Sequence, residues 1–420
     1  MKKYRMGIRL MSLLLMGVMV VNLTGCAKKI EARNLMDDIK PNTVNALEDL
    51  STENREVTDF AMRLFKAGYV DGENMLISPL SVLSALAMTA NGAQDETLLQ
   101  MENTLGMTKD KLNRYVYSYM ENLPQGKNYK LSLANSIWFT EDKRFTVNQD
   151  FLQTNADYYG AGIYRAPFND ETCEDINRWV KDNTDGMIEK IINNIPAEAV
   201  MYLVNALAFE AEWSDIYEKH QVREGVFTKE DGSTQEVKLM YGSDGAYLED
   251  ENASGFIKYY KGGKYAFVAM LPKEGVKIAD YVATLDGEKV SGMLQNPKYV
   301  TVRTAIPKFK TGYEVEMSGI LTRMGMERAF DEKRAEFDAL GTSTDGNIFI
   351  SRVLHKTFIE VGEKGTRAGA ATVVEMADGA AMEMEEPKEV YLDRPFVYMI
   401  IDCENNIPFF IGTMMDAGSI

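Results

Sequence analysis

The 420 residues include only two histidines and three cysteines. A Ser-His-Asp or Cys-His centre would have to take its base from His220 or His355. Neither lies near a Gly-x-Ser-x-Gly turn, and the chain contains none. There is no Walker loop and no GxGxxG after a strand-like stretch. No histidine or cysteine pair has metal-ligand spacing, so no metal or cofactor is expected. The 63 acidic residues are scattered as surface charge would be. Enzyme activity therefore finds no positive support. Basic residues are also in deficit, 46 against 63 acidic, for a net charge of −17. Phosphate backbones select basic surfaces, so a nucleic-acid partner is excluded. There is no Pro-rich or Gly/Ser-rich linker, low-complexity run or repeat, which leaves room for one large core. Cys173 and Cys403 make no disulfide framework and read as ordinary small core or surface residues.

A long apolar run is missing as well. The stretch from Leu10 to Leu23 falls short of the roughly 20 residues that a spanning helix needs. It follows Lys2, Lys3, Arg5 and Arg9, as the apolar part of an export signal does. It ends in Leu23-Thr24-Gly25-Cys26, which resembles the bacterial lipobox; a plain secretory signal is the simpler alternative. The resemblance implies lipid on Cys26 and a protein anchored to the outer face of the bacterial membrane, or later shed. Two or three acyl chains hold far more stably than one. The expected organisation is a signal peptide over 1–25, a polar tether over 26–52 and one domain over 53–420.

The domain opens with Val57, Phe60, Ala61, Leu64 and Phe65 at helical spacing. Ser78 stands as an N-cap with Pro79 at the first helical position. That helix should run through Leu83, Leu86, Ala87 and Ala90 and stop at Gly92. Strands are expected at 131–139, 201–209, 265–271, 300–309, 355–361, 396–401 and 409–413. The run Tyr265 to Leu271 suits a strand buried on both faces. Helical patterns lie at 175–184 and 313–324. Helices come first and strands later, without regular alternation, so the fold class is α+β.

The stretch from Val353 to Phe396 carries the functional signal. Alternation puts His355, Thr357, Ile359 and Val361 on one strand face. Then comes Glu363-Lys364-Gly365-Thr366-Arg367-Ala368-Gly369-Ala370-Ala371-Thr372-Val373-Val374. A flexible linker has small residues but does not usually end in strand formers. With period two, Thr366, Ala368, Ala370, Thr372 and Val374 share a face and Arg367 lies on the other. The first face could be buried without burying a charge. The acidic, proline-broken 385–389 reads as exposed, and order is expected to return at Arg394-Pro395-Phe396.

Val353-Leu354-His355-Lys356, Glu363-Lys364-Gly365-Thr366, Arg394-Pro395-Phe396 and Phe410-Ile411-Gly412 resemble the serpin signature, in order. So do the Ser-Pro-x-Ser opening at Ser78, the strand from Leu203 through Asn205 to Trp213, Ala269 to Pro272, and Ile306 to Phe309. The resemblance spans about residue 53 to the C-terminus. It implies the serpin fold: a central five-stranded mixed sheet, further sheets, about nine helices and an exposed reactive-centre loop at about 363–393. It further implies a monomer that inhibits a serine or cysteine protease. The protease cleaves the loop and is held as a covalent acyl complex, while the loop enters the sheet as a new strand. The hinge would comprise Glu363, Gly365, Thr366, Ala368, Gly369, Ala370, Ala371 and Thr372. Ser78, Ser81, Asn205 and His355 would meet beneath the sheet as a shutter, and Trp213 would stand where insertion starts. Arg367 departs from the family, which often has an acid there. The alternative is a non-inhibitory binding protein of the same fold, a reading that the intact hinge run disfavours.

Family spacing places the cleaved bond at Gly379-Ala380, within a window of Met376, Ala377, Asp378, Ala381 and Met382. No Lys or Arg lies between Ala368 and Pro387, which disfavours a trypsin-like target. The small residues suit an elastase-like or subtilisin-like pocket, the methionines a chymotrypsin-like one, and Asp378-Gly379 an Asp-specific one. Thr366 is expected on the inward face after insertion but at the exposed loop before it. Thr366→Arg is therefore expected to spare folding while blocking inhibition.

Overall fold

The computed structural model describes residues 30–123, 126–141, 145–196, 199–344, 346–366 and 386–418. Contacts separate a unit at 1–30 from a body at 31–420, and the body is treated below. Among the described residues it holds nine α-helices and four sheets.

The largest sheet runs in the order Arg33–Asn34, Gly162–Ala166, Tyr129–Thr140, Met201–Glu212, Gly365–Thr366, Arg352–Gly362 and Phe309–Glu316. The expected five strands are present, with a two-residue piece added at one edge and another near the middle. The sheet is mixed: the Met201 strand pairs antiparallel with the Tyr129 strand and parallel with the Arg352 strand. A six-stranded sheet has Tyr265–Pro272 inside it, and all eight of that strand's residues are buried, as its unbroken apolar run requires. A four-stranded sheet orders Lys388–Tyr391, Val302–Pro307, Thr234–Asp244 and Val222–Thr228.

Helix Pro79–Ala90 is buried along all 12 residues. Its sequence is apolar all round, which suits a helix enclosed by other elements. Ser78 caps it as expected: its Oγ accepts from the Ser81 N–H at 3.4 Å, with Pro79 behind it.

Three expectations are corrected. The helix expected at 313–324 is shorter: residues 318–323 form the helix Ser318–Arg323, while 313–316 are the end of the strand Phe309–Glu316. Eight consecutive pairs with the Arg352 strand decide the matter, since pairing overrides a fortuitous helical spacing of apolar residues. The polar segment at 26–52 does not hang free over its described part. The Glu31 and Ala32 amides donate to Asp175 Oδ2 at 2.8 Å each, and Arg33–Asn34 pairs with the Gly162 edge strand. Leu35, Met36, Ile39 and Leu47 pack against the core. The segment gives an otherwise unpaired sheet edge its partner, which composition could not reveal. Third, both ends of the loop placed at 363–393 belong to sheets. Gly365–Thr366 lies in the largest sheet, and Lys388–Tyr391 runs parallel to Val302–Pro307.

Candidate functional site

The site is the seam between the Met201–Glu212 and Arg352–Gly362 strands. Over its lower part the two pair directly, Arg352 to Thr357 against Tyr202 to Leu207. Over its upper end they are parted. There Gly365 sits between Glu212 and Gly362, and Thr366 between Ala211 and Val361. Between these two zones no described strand fills the seam.

The lower zone is closed by side chains. The Ser78 N–H donates to His355 Nε2 at 3.1 Å. That bond fixes the tautomer: Nε2 is the acceptor, so Nδ1 carries the proton and donates to Asn205 Oδ1 at 2.6 Å. Asn205 Nδ2 donates in turn to Asn135 Oδ1 at 2.8 Å. His355 is 1 % exposed, and burial lowers its pKa to about 3, so the ring is neutral. Of the four residues read as a shutter, Ser78, Asn205 and His355 are linked directly. Ser81 joins through its amide, while its Oγ is buried without a hydrogen-bond partner. Thr357, on the same strand face as His355, donates to the Leu76 carbonyl at 2.7 Å. The expected alternation holds, with His355, Thr357, Ile359 and Val361 all buried.

The upper end is closed by the backbone of a turn. Trp213 Nε1 donates to the Gly362 carbonyl, the Trp213 N–H to that of Lys364, and the Tyr217 N–H to that of Glu363, each at 2.9 Å. The Glu363 carboxylate accepts from Lys308 Nζ at 2.6 Å. Burial pushes its pKa up, but the bonds and charge of Lys308 outweigh this and leave it lowered. Gly365 has φ +147°, and a Cβ there would stand 2.0 Å from the Ala211 carbonyl oxygen. Only glycine permits so close an approach. Thr366 is fully buried, its Oγ1 2.5 Å from the Tyr260 hydroxyl. The expectation that Thr366 lies exposed before cleavage is therefore wrong: Gly365 and Thr366 already lie between the two walls of the seam. Its inward parity is as drawn.

Trp213 stands at the upper end as expected, stacked on Tyr260 at 4.4 Å with planes 6° apart. Asn135, Tyr217, Tyr260 and Lys308 were not singled out from the sequence. Thr357 is on the face that strand alternation marks. The others come from distant segments and carry no local signal. The hinge residues Ala368, Gly369, Ala370, Ala371 and Thr372, the window from Met376 to Met382 with Gly379 and Ala380, and Cys26 lie outside the described residues. His220 is exposed beside Glu218.

A mixed sheet parted at one end, with Gly365–Thr366 seated between its two central strands, is the geometry that comparison with known proteins places in a family. The family model described as "Serpin (serine protease inhibitor)" matches residues 55–417. The chain belongs to the serpin family. The native-state crystal structure of tengpin, a thermophilic serpin, is similar with a TM-score of 0.87 and 48% identity, covering 92% of this chain and 99% of that one. An uncharacterised serpin-like protein of Thermococcus kodakarensis is 28% identical over 428 residues, 96% of this chain and 98% of that protein. Human leukocyte elastase inhibitor is 28% identical over 385 residues, 87% of this chain and 99% of its own length.

Proposed function

We propose that this serpin inhibits an elastase-like or subtilisin-like serine protease by taking its cleaved loop into the parted seam. The observation that carries the reading is the double pairing of Gly365 and Thr366 with both walls. Continuing those registers residue by residue sets Ala368 between Phe209 and Ile359. Thr372 then comes between Asn205 and His355. Met376 comes opposite Met201, at the end of its strand. The cleavage window therefore begins where the sheet runs out. Thr366, Ala368, Ala370, Thr372 and Val374 would face the core, and all are small or β-branched. Arg367 would face outward between Glu210 and Glu360, which turns its departure from the family pattern into charge complementarity. The His355–Asn205 bond crosses the path of Thr372, so insertion has to break it.

The absence of Lys and Arg between Ala368 and Pro387 is what favours a small-residue pocket in the target. Incubation with pancreatic elastase and subtilisin should give an SDS-stable complex, cut within Met376 to Met382. Complexes with trypsin-like enzymes alone would overturn the target class. Cleavage without any complex, and without the thermal stabilisation that insertion brings, would favour a non-inhibitory binding protein. We further infer that Cys26 is lipidated and anchors the protein outside the bacterial membrane, from the Leu23-Thr24-Gly25-Cys26 sequence closing the apolar run. Intact mass of detergent-extracted protein should show the lipid; a mature N-terminus at another residue would refute it.

A further inference from the structure

Lys258 is 3 % exposed. A buried ammonium is costly unless its charge is met, so its surroundings call for a reason. Its Nζ lies 3.4 Å from Asp244 Oδ1, and Asp244 Oδ2 accepts from Thr304 Oγ1 at 2.8 Å. The same Nζ stands 4.6 Å from the ring centroid of Tyr217 and 5.5 Å from that of Trp213. Lys258 belongs to Ala253–Tyr259 of the six-stranded sheet, and Asp244 ends Thr234–Asp244 of the four-stranded sheet. The pair thus ties two sheets together directly behind two rings of the third element, the seam.

Those two rings belong to the residues that grip the hinge. Trp213 and Tyr217 supply the three N–H groups that hold the carbonyls of Gly362, Glu363 and Lys364. Trp213 also stacks on Tyr260, whose hydroxyl meets Thr366. A cation is attracted to both aromatic faces and to the carboxylate at once, which no apolar side chain of that length can match. We propose that Lys258 is a positioning residue for loop entry. From one buried point it fixes the rings of the two residues that clamp the turn, through the Trp213 indole and the Trp213 and Tyr217 amides, and so keeps Gly365–Thr366 seated as the start of the incoming strand. The proposal rests on the insertion reading for its consequence, but the clamp itself can be measured without a protease.

The test is Lys258→Met, with Lys258→Met/Asp244→Asn beside it so that an unpaired carboxylate does not decide the outcome. Amide hydrogen exchange should lose protection at Trp213, Tyr217, Gly365 and Thr366, and keep it at His355 and along 352–357. Against pancreatic elastase the loop should be cut at the unchanged rate. The stoichiometry of inhibition should rise about fivefold, the equivalent of the roughly 1 kcal/mol that a cation–π contact contributes. Lys258→Arg should retain most of both properties. Unchanged protection at the four amides in a folded variant would overturn the proposal. So would a uniform loss across the sheet, which would make Lys258 a general stabiliser. If the natural protein is cut by elastase without forming a complex, the inhibitor reading fails. The exchange measurement then still decides whether Lys258 holds the hinge.

Discussion

The lower and upper parts of the seam involve the same two strands and are closed by opposite means. Below, the Arg352 and Met201 strands bond directly, and a hydrogen-bonded chain running from the Ser78 amide through the neutral side chains of His355, Asn205 and Asn135 lies across them. Above, they are held apart by a wedge of two residues, and the wedge is gripped through its backbone by Trp213 and Tyr217. Side-chain bonds can be exchanged for bonds to an incoming strand at modest net cost, because each native partner is replaced by another. A backbone grip on a turn has no need to be exchanged, since the turn stays in place as the strand beyond it lengthens. On the proposed insertion, the lower part would open and the upper part would stay.

The largest effect that would break this contrast comes from the wedge. Thr366→Arg places a guanidinium where the structure has a buried hydroxyl against Tyr260. An unpaired buried charge costs about 3–5 kcal/mol. The variant should melt at a distinctly lower temperature and lose inhibition, measured by circular dichroism and by stoichiometry against pancreatic elastase. An unchanged melting curve would mean that the wedge leaves the sheet freely, and that the two ends of the seam are less different than drawn.

His355→Gln probes the lower part and should act more mildly. Leaving Ser78 or Asn205 without a buried partner costs about 1–3 kcal/mol. The pH dependence sharpens the test. An unfolded histidine binds its proton near pH 6.5, whereas the buried ring of His355 resists until about pH 3. Between those values the unfolded chain binds more protons, so stability falls as pH falls from 6.5 toward 3. His355→Gln should remove that part of the acid slope in urea melts taken across the range. A slope identical to that of the natural protein would place the titration elsewhere.

The smallest effect concerns the outer face of the seam. Glu210→Lys should raise the stoichiometry of inhibition slightly, because it would set a like charge beside Arg367 after insertion. Half-exposed pairs contribute about 0.2–1 kcal/mol, so the change should be a few-fold at most. Adding Arg367→Glu should restore the original value. Failure of that rescue would shift the register by which the loop enters.

Much of the architecture was legible because it is local. The Ser78-Pro79 cap, the buried run Tyr265–Pro272 and the alternation from His355 to Val361 each announce their structure within a few residues. Residues 313–316 fit a helix by their apolar spacing as well as they fit the end of the strand Phe309–Glu316, and only the partner strand distinguishes the two. The docked segment around Arg33–Asn34 was read as a tether because its polar composition carries no trace of the edge that it covers.

The sequence by itself determined which face of the hinge is inward, since side chains alternate strictly along any strand and charge is kept off the buried side. It also showed the run of small residues beyond Gly365, whereas the need for glycine at 365 comes from the Ala211 carbonyl packed against it. Only the tertiary structure decided that Gly365 and Thr366 already lie between the two walls. That depends on the gap between Ala211 and Val361, the hydroxyl of Tyr260 and the rings braced by Lys258, which come from segments more than a hundred residues apart in some cases. Parity is a property of one chain segment, whereas occupancy of a seam is a property of the walls around it.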